Sequence, residues 1–289
     1  MPAPSRHRVV LWGSELHYGE VLGSGPLLLF LHGVGSSSAT WEPILERLRE
    51  EDVHAVALDL PGHGGSAKVR GDYSLGAMAC TVRDFLDYLG EKQAVLVGHS
   101  LGGGIAMQFA YQFPDRCSGL VLVASGGLGA EASVVLRAAS LPGAELLLPA
   151  IAHPGTVVAL RWASRTSSRL GGPRLISADA EIVLRGLRDP TSRAAFLATL
   201  RSVIDRSGQR VSAVAKLAAA KHLPTLLVWG DCDPIIPLDH GHRALDVSPD
   251  ASLVIIPGAR HEPHRHDPDR FTGLVLELAS QVRSAGVFV

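Results

Sequence analysis

Gly98-His99-Ser100-Leu101-Gly102 sets a serine between glycines two positions away on either side, behind the apolar run Ala94–Val97 and ahead of the helix-like stretch Leu101–Phe113. A strand that turns abruptly into a helix strains the residue at the apex and leaves room only for small neighbours, so the apex side chain is pushed out into a cleft. The helix that follows aims its free N–H groups at the same place and favours a developing negative charge. A serine hydroxyl is a weak nucleophile and needs a base, and the base needs an orienting acid. In a strand–turn–helix setting the chain order is nucleophile, acid, base. Asp231 and Asp233 follow the apolar run Thr225–Trp229, and His261 follows Ser252–Ile256. Both places are loops after strands, where three side chains from distant parts of the chain can converge. Among thirteen histidines, position after a strand lifts His261 above His240, His242, His264 and His266.

The elements that must position these groups alternate. Arg8–Leu11 and Glu15–Val21 read as strands around the Gly13-Ser14 turn, and Pro26–Leu31, Val53–Leu58, Ala94–Val97 and Leu120–Ala124 as further strands. Thr40–Glu50, Leu75–Leu89 and Leu101–Phe113 have helical spacing. Strand–helix alternation predicts an α/β fold: a mostly parallel central sheet with helices on both faces. After the sixth strand the rhythm breaks. From about Gly126 to His222 no buried strand is evident, helix-like runs occur at Ala180–Arg188 and Ala194–Asp205, and Pro142, Pro149, Pro154, Pro173 and Pro190 cut the stretch into short pieces. Residues 126–222 are therefore expected to form a helical cap over a core built from 1–125 and 223–289. Thr225–Trp229, Ser252–Ile256 and a closing helix Asp267–Val282 resume the alternation.

Composition removes whole classes. The chain has 289 residues, 46% of them apolar, with 27 basic and 28 acidic side chains. That is enough apolar material for a large core, and no basic surplus exists to neutralise nucleic-acid phosphates. Cys80, Cys117 and Cys232 are odd in number and form no CxxC pair, so neither a disulfide framework nor a zinc or redox site is expected. His261-Glu262-Pro263-His264-Arg265-His266 looks like a metal cluster but fails the HExxH spacing. No cofactor and no metal are expected. The N-terminal stretch has no apolar h-region and no apolar run is long enough to span a bilayer, so a cytoplasmic protein without membrane insertion is expected.

Five segments in order, LFLHGVGSSSATW, DLPGHGGS, VGHSLGGG, LLVWGDCDPIIPL and IIPGARHEPHRHDPDRF, resemble the α/β-hydrolase superfamily in its helical-cap serine-hydrolase branch, and the match covers the whole core. The resemblance implies that the acid is the Asp of a G-x-x-D-x-x-x-P loop, which is Asp233 with Pro237 matching, 28 residues before His261. Asp231 is then left a role in shaping the loop. It further implies an oxyanion hole from the backbone N–H of Leu101 and of Val34, the residue after His32-Gly33, and a structural turn at Asp59 and His63. Ser100 argues against the haloalkane dehalogenases and epoxide hydrolases of the superfamily, whose elbow carries Asp. Hydrolysis of a carboxylic ester or lactone of a small apolar substrate is the leading expectation.

Ser125-Gly126-Gly127-Leu128-Gly129 and Leu238-Asp239-His240-Gly241 resemble carbon–carbon hydrolases of meta-cleavage products. Those usually carry HGGGPG in place of His32-Gly33-Val34-Gly35-Ser36, Asn in place of His99 and Trp in place of Glu262, so this is the second reading. A hydrolase-like ligand receptor with little turnover is a third, of a different class. Leu146–Leu148, Ile151, Val157, Val158, Leu160 and Trp162 are expected either to line the cleft or to pack the cap on the core. Arg137, Arg161, Arg165, Arg169 and Arg174 are expected either to receive a carboxylate or to face solvent.

Overall fold

The computed structural model describes residues 5–169, 176, 178–219, 223–248 and 250–284. Eight strands form a single sheet: β1 (Ser5–Leu11), β2 (Ser14–Val21), β3 (Leu27–Leu31), β4 (His54–Leu58), β5 (Ala94–His99), β6 (Cys117–Val123), β7 (Thr225–Gly230) and β8 (Ser252–Ile256), in the order β1-β2-β4-β3-β5-β6-β7-β8. β1 pairs antiparallel with β2 and β2 with β4; all other pairs are parallel. β3 to β7 are buried along their entire length. This is why they read as continuous apolar runs rather than alternations: helices cover both faces.

The twelve helices described are α1 (Glu42–Arg47), α2 (Leu75–Leu89), α3 (Leu101–Gln112), α4 (Val134–Ser140), α5 (Ala144–Ile151), α6 (Pro154–Arg169), α7 (Ala178–Gly186), α8 (Pro190–Val203), α9 (Val214–Ala219), α10 (Asp239–Val247), α11 (Pro263–His266) and α12 (Pro268–Ser284). The period of two along β3 splits its side chains between two cores. Leu27, Leu29 and Leu31 join Met78, Val82, Phe85, Ile105 and Phe109 from α2 and α3. Leu28 and Phe30 join Trp41, Ile44, Phe271 and Val275 on the α1 and α12 side. α2 is delimited by its ends: the Ser74 side chain accepts from the Ala77 N–H, and Gly90 stops the helix in the left-handed region at φ 73°.

The eight-strand, mostly parallel sheet with helices on both faces is the architecture expected. Two details differ. The expected helix Thr40–Glu50 is a 3-10 turn over Ser38–Trp41, the short α1, and a second 3-10 turn over Leu48–Glu50. Pro43 stands in the first turn of α1, where its missing N–H costs nothing, and so resets the helix start. Between β6 and β7 the described elements are α4–α9 and one isolated bridge, Ile204 to Gln209. There a third apolar cluster, with Leu148, Leu187, Phe196, Leu197 and Leu200, forms apart from the two sheet cores. Pro173 and Arg174 lie outside the described residues.

Candidate active site

The elbow between β5 and α3 is formed by backbone constraint. Ser100 sits at φ 53°, ψ −111°, a conformation that costs a non-glycine residue on the order of 1–3 kcal/mol and persists only when its surroundings enforce it. They do. The Ser100 N–H donates to Val123 O at 2.9 Å, and the Ser100 carbonyl accepts from the N–H groups of Gly103, Gly104 and Gly126 at 3.1, 3.3 and 3.0 Å. A Cβ on Gly98 would lie 2.3 Å from Gly102 O, and one on Gly102 would lie 2.2 Å from Leu31 O. α3 therefore crosses the sheet at a distance only glycine allows. The Ser100 hydroxyl forms no hydrogen bond among the described residues and opens on a cavity.

His261 and Asp233 meet. The His261 Nδ1–H donates to Asp233 Oδ2 at 2.8 Å, and the Asp233 side chain is fully buried. The other oxygen of Asp233 accepts from the N–H groups of Ile235 and Ile236 at 2.7 and 3.1 Å. Two backbone donors on one oxygen fix the orientation of the carboxylate. Asp231 points elsewhere and accepts from the Gly258 N–H at 2.7 Å, tying the loop after β7 to the loop after β8. The loop after β3 lies against the elbow, since a Cβ on Gly33 would be 3.3 Å from Ser100 Cβ. His32 Nδ1–H and the Ser36 N–H both donate to Gly33 O, at 2.8 and 3.2 Å. In a trans peptide the N–H opposes the carbonyl, so the Val34 N–H is turned away from both donors. The Leu101 N–H, first in its helix, has no intrahelical acceptor.

Buried histidines support this arrangement. His99 Nε2–H donates to the His261 carbonyl at 2.8 Å and so fixes the backbone of that residue. His264 bonds Thr40 Oγ1 at 3.0 Å and packs on Trp41, with ring centroids 4.3 Å apart. Burial pushes His99 and His264 well below the ordinary histidine range, lowers His32, and takes His63 down to about 3. All four favour the neutral form more strongly in the fold than in the unfolded chain, where they would protonate near ~6.5. The unfolded chain thus binds more protons below that pH, and stability is lost as pH falls. Each group contributes a slope of up to about 1.4 kcal/mol per pH unit. Melting temperature is expected to fall steadily from pH ~6.5 toward pH ~5, and less steeply in His264→Phe. A melting temperature that stays flat over that range would contradict the neutral assignments.

Asp59 accepts from the Ser38 N–H and the Gly65 N–H, both at 2.6 Å, the structural turn expected of that segment. No three His, Cys, Asp or Glu side chains among the described residues come together as a metal-binding group, and His264 is spent in the core rather than offered as a ligand.

Sequence reasoning missed the cavity walls. The space at Ser100 measures about 530 Å³ including its open mouth, and Val34, Leu75, Leu136, Leu200, Val203 and Ile204 provide most of its apolar lining. Gln209 is the one polar side chain besides Ser100, and its atoms are committed: Oε1 accepts from the Gly127 N–H at 2.5 Å and Nε2 donates to Glu131 O at 2.9 Å. No ionised side chain lines it among the described residues. The signal lay at the end of α8, where Leu200 and Val203, with Ile204 just beyond the helix, repeat at helical spacing. The residues expected as cleft or packing side chains divide differently. Leu148 and Val157 are buried, Leu160 is half-buried, and Leu146, Leu147, Ile151, Val158 and Trp162 are exposed. Of the arginines, Arg161 pairs with Glu181, and none of the described ones reaches the cavity. Glu131 also went unnoticed: it accepts from His240 and, through two bonds, from Arg243, holding the chain after β6 against α10.

A serine elbow after the fifth strand and a carboxylate–histidine pair on the loops after β7 and β8 define the class as an α/β hydrolase. The model of the alpha/beta hydrolase family matches residues 28–274, and the chain belongs to that family. An uncharacterized protein of Mycobacterium tuberculosis is 39% identical over 258 residues, covering 88% of this chain and 75% of that one. The 2-hydroxy-6-oxononadienedioate/2-hydroxy-6-oxononatrienedioate hydrolase of Comamonas testosteroni is 29% identical over 262 residues, 89% and 88% of the two chains. Among solved structures, a membrane phospholipase A superposes with TM-score 0.75 at 26% identity, covering 97% of this chain and 87% of that one. No single described helix is long and apolar enough to cross a membrane.

Proposed function

We propose that this chain is a serine hydrolase that cleaves the ester or lactone of a small, neutral, apolar substrate. The observation that carries the reading is the uncharged, apolar cavity on which the Ser100 elbow opens. In this reading His261 Nε2 takes the Ser100 proton as the hydroxyl attacks the carbonyl carbon. Asp233 holds His261 in the tautomer that can accept it and stabilises the imidazolium. The Val34 and Leu101 N–H groups receive the oxyanion, each such donor being worth about 3 kcal/mol of barrier. The proton then passes to the leaving alkoxide, and water repeats the cycle on the acyl-enzyme. Residues 126–222 act as a cap, supplying Ala132, Leu136, Leu200, Val203 and Ile204 to the cavity wall.

The carbon–carbon reading ranks second on the same observation. The Comamonas hydrolase is named for a dienedioate, and a buried carboxylate left unpaired costs several kcal/mol; the cavity offers it no cation among the described residues. A panel of p-nitrophenyl esters and one dienoate tests the ranking. Each added methylene is expected to raise kcat/KM about fourfold until the cavity fills, from about 0.8 kcal/mol per buried CH₂. A terminal carboxylate on the acyl chain is expected to lower it by at least about 100-fold. Faster turnover of the dienoate than of any ester would reverse the ranking. A single acylation followed by arrest would favour a ligand receptor.

A further inference from the structure

The helices between β6 and β7 carry an unusual outer surface. Eight of the fourteen exposed large apolar side chains of the described residues fall between Val134 and Ile182. Scattered exposed apolar residues are ordinary, but their concentration in one segment marks a contact surface. Leu146 and Leu147 on α5 are 79% and 64% exposed, and Trp162 on α6 is 69% exposed. α5 packs against α4 and α6, and α6 against α7, so these side chains stand on consecutive neighbouring helices. On α6, Val158, Trp162, Arg165 and Arg169 recur at helical spacing and are all exposed. One face therefore runs from apolar to basic. Arg165 and Arg169 form no ion pair among the described residues.

Charge is divided just as unevenly. Residues 126–222 hold thirteen basic and six acidic side chains, while the rest of the chain holds fourteen basic and twenty-two acidic. The near-neutral total thus hides a strongly cationic segment on an anionic body. A second copy of the chain docked cap to cap would bring like charges together, which opposes association. An apolar face with an exposed tryptophan and a basic margin matches the surface of an anionic bilayer, which takes apolar side chains at the headgroup boundary and attracts arginine.

We propose that α4–α7 dock this chain onto the surface of an anionic lipid bilayer. The chain lies on the membrane and does not span it. α5 and α6 meet at 69°, a bend suited to two helices lying in the interface plane and not to one crossing the hydrocarbon. Leu136 of α4 lines the cavity while Val134 and Val135 at the start of the same helix face outward, so docking sets the cap wall of the cavity beside the lipid. This inference concerns adsorption and is independent of the reaction proposed for Ser100.

Vesicle co-sedimentation of the full chain tests it, with phosphatidylcholine vesicles with or without phosphatidylglycerol. Binding is expected to anionic vesicles, and to weaken at least about tenfold on neutral ones or in about 0.5 M salt. In a Trp12→Phe background, Trp162 emission is expected to shift to the blue on binding, since Trp41 and Trp229 are already fully buried. Leu146→Ser with Trp162→Ser is expected to lower vesicle affinity at least about tenfold. Its hydrolysis of a water-soluble ester is expected to stay within about twofold of the parent, because neither side chain lines the cavity. Arg165→Gln with Arg169→Gln is expected to reduce binding to anionic vesicles alone. Equal affinity for neutral and anionic vesicles, no binding to either, or a dimer in size-exclusion chromatography that the Leu146→Ser, Trp162→Ser pair dissolves would each overturn the proposal.

Discussion

Ser100→Ala is expected to lower kcat on any ester the chain turns over by at least about 10³-fold, with the fold intact. The side chain is removed, but the backbone that strains it is not: the hydrogen bonds that hold the elbow run through the Ser100 N–H and carbonyl, not through the hydroxyl. Alanine at φ 53° carries the same Cβ as serine and the same strain. Melting temperature is therefore expected to stay within a few degrees of the parent, the usual span for a change of about 1 kcal/mol or less. Substrate binding is expected to survive as well, because the cavity wall is apolar and unaltered. KM should stay close to the parent value while kcat collapses, the signature of an interaction made only on the way to the transition state. The parent should trap a covalent acyl group at Ser100 with a slowly deacylating ester, and mass spectrometry should find none on the variant. Activity within tenfold of the parent, in protein shown free of a contaminating esterase, would remove Ser100 from the reaction.

What the sequence carried and what it hid follow from the range of the forces involved. The elbow was legible because its constraint is local. Gly98 and Gly102 are demanded by contacts within a few residues and with Leu31, so the pattern stands in the sequence as a spacing. The sheet was legible for the same reason, since strands buried on both faces must be apolar throughout. Residue type did not separate Asp231 from Asp233, as both are carboxylates beside Cys232; only the resemblance of the loop to a G-x-x-D-x-x-x-P pattern implied Asp233. Their partners come from long-range geometry: one meets the Gly258 N–H, the other His261. The cap was least legible. Its helices are amphipathic against one another and against the core, and composition does not say which apolar side turns inward. Leu148 turns in while its neighbours Leu146 and Leu147 turn out, a difference fixed by α8, some fifty residues further along. His99 was equally hidden, because its bond to the His261 carbonyl spans 162 residues.

Those two carboxylates give the sharpest test of the site. Asp233→Asn keeps size and shape, and the amide oxygen can still accept from the Ile235 and Ile236 N–H groups now bonded to Oδ1. That pins the amide so that its NH₂ faces His261 Nδ1 in place of Oδ2. An amide nitrogen donates and does not accept, so His261 Nδ1 must give up its proton and become the acceptor. The ring proton moves to Nε2, the nitrogen needed to take the proton of Ser100, and the base is disabled by its tautomer, not by its position. The corresponding change in a serine protease costs about 10⁴-fold in kcat. A loss of at least about 100-fold is expected for Asp233→Asn, with KM little changed. Both acylation and deacylation should slow in single-turnover measurements, since each needs the same base. Asp231→Asn retains an oxygen to accept from Gly258 and is expected to keep kcat within about threefold of the parent. Asp231→Ala loses that bond and is expected to lower stability by about 1 kcal/mol while leaving kcat near the parent value. A crippled Asp231→Asn beside an active Asp233→Asn would transfer the acid to Asp231, and the 2.8 Å bond between His261 and Asp233 would then be structural.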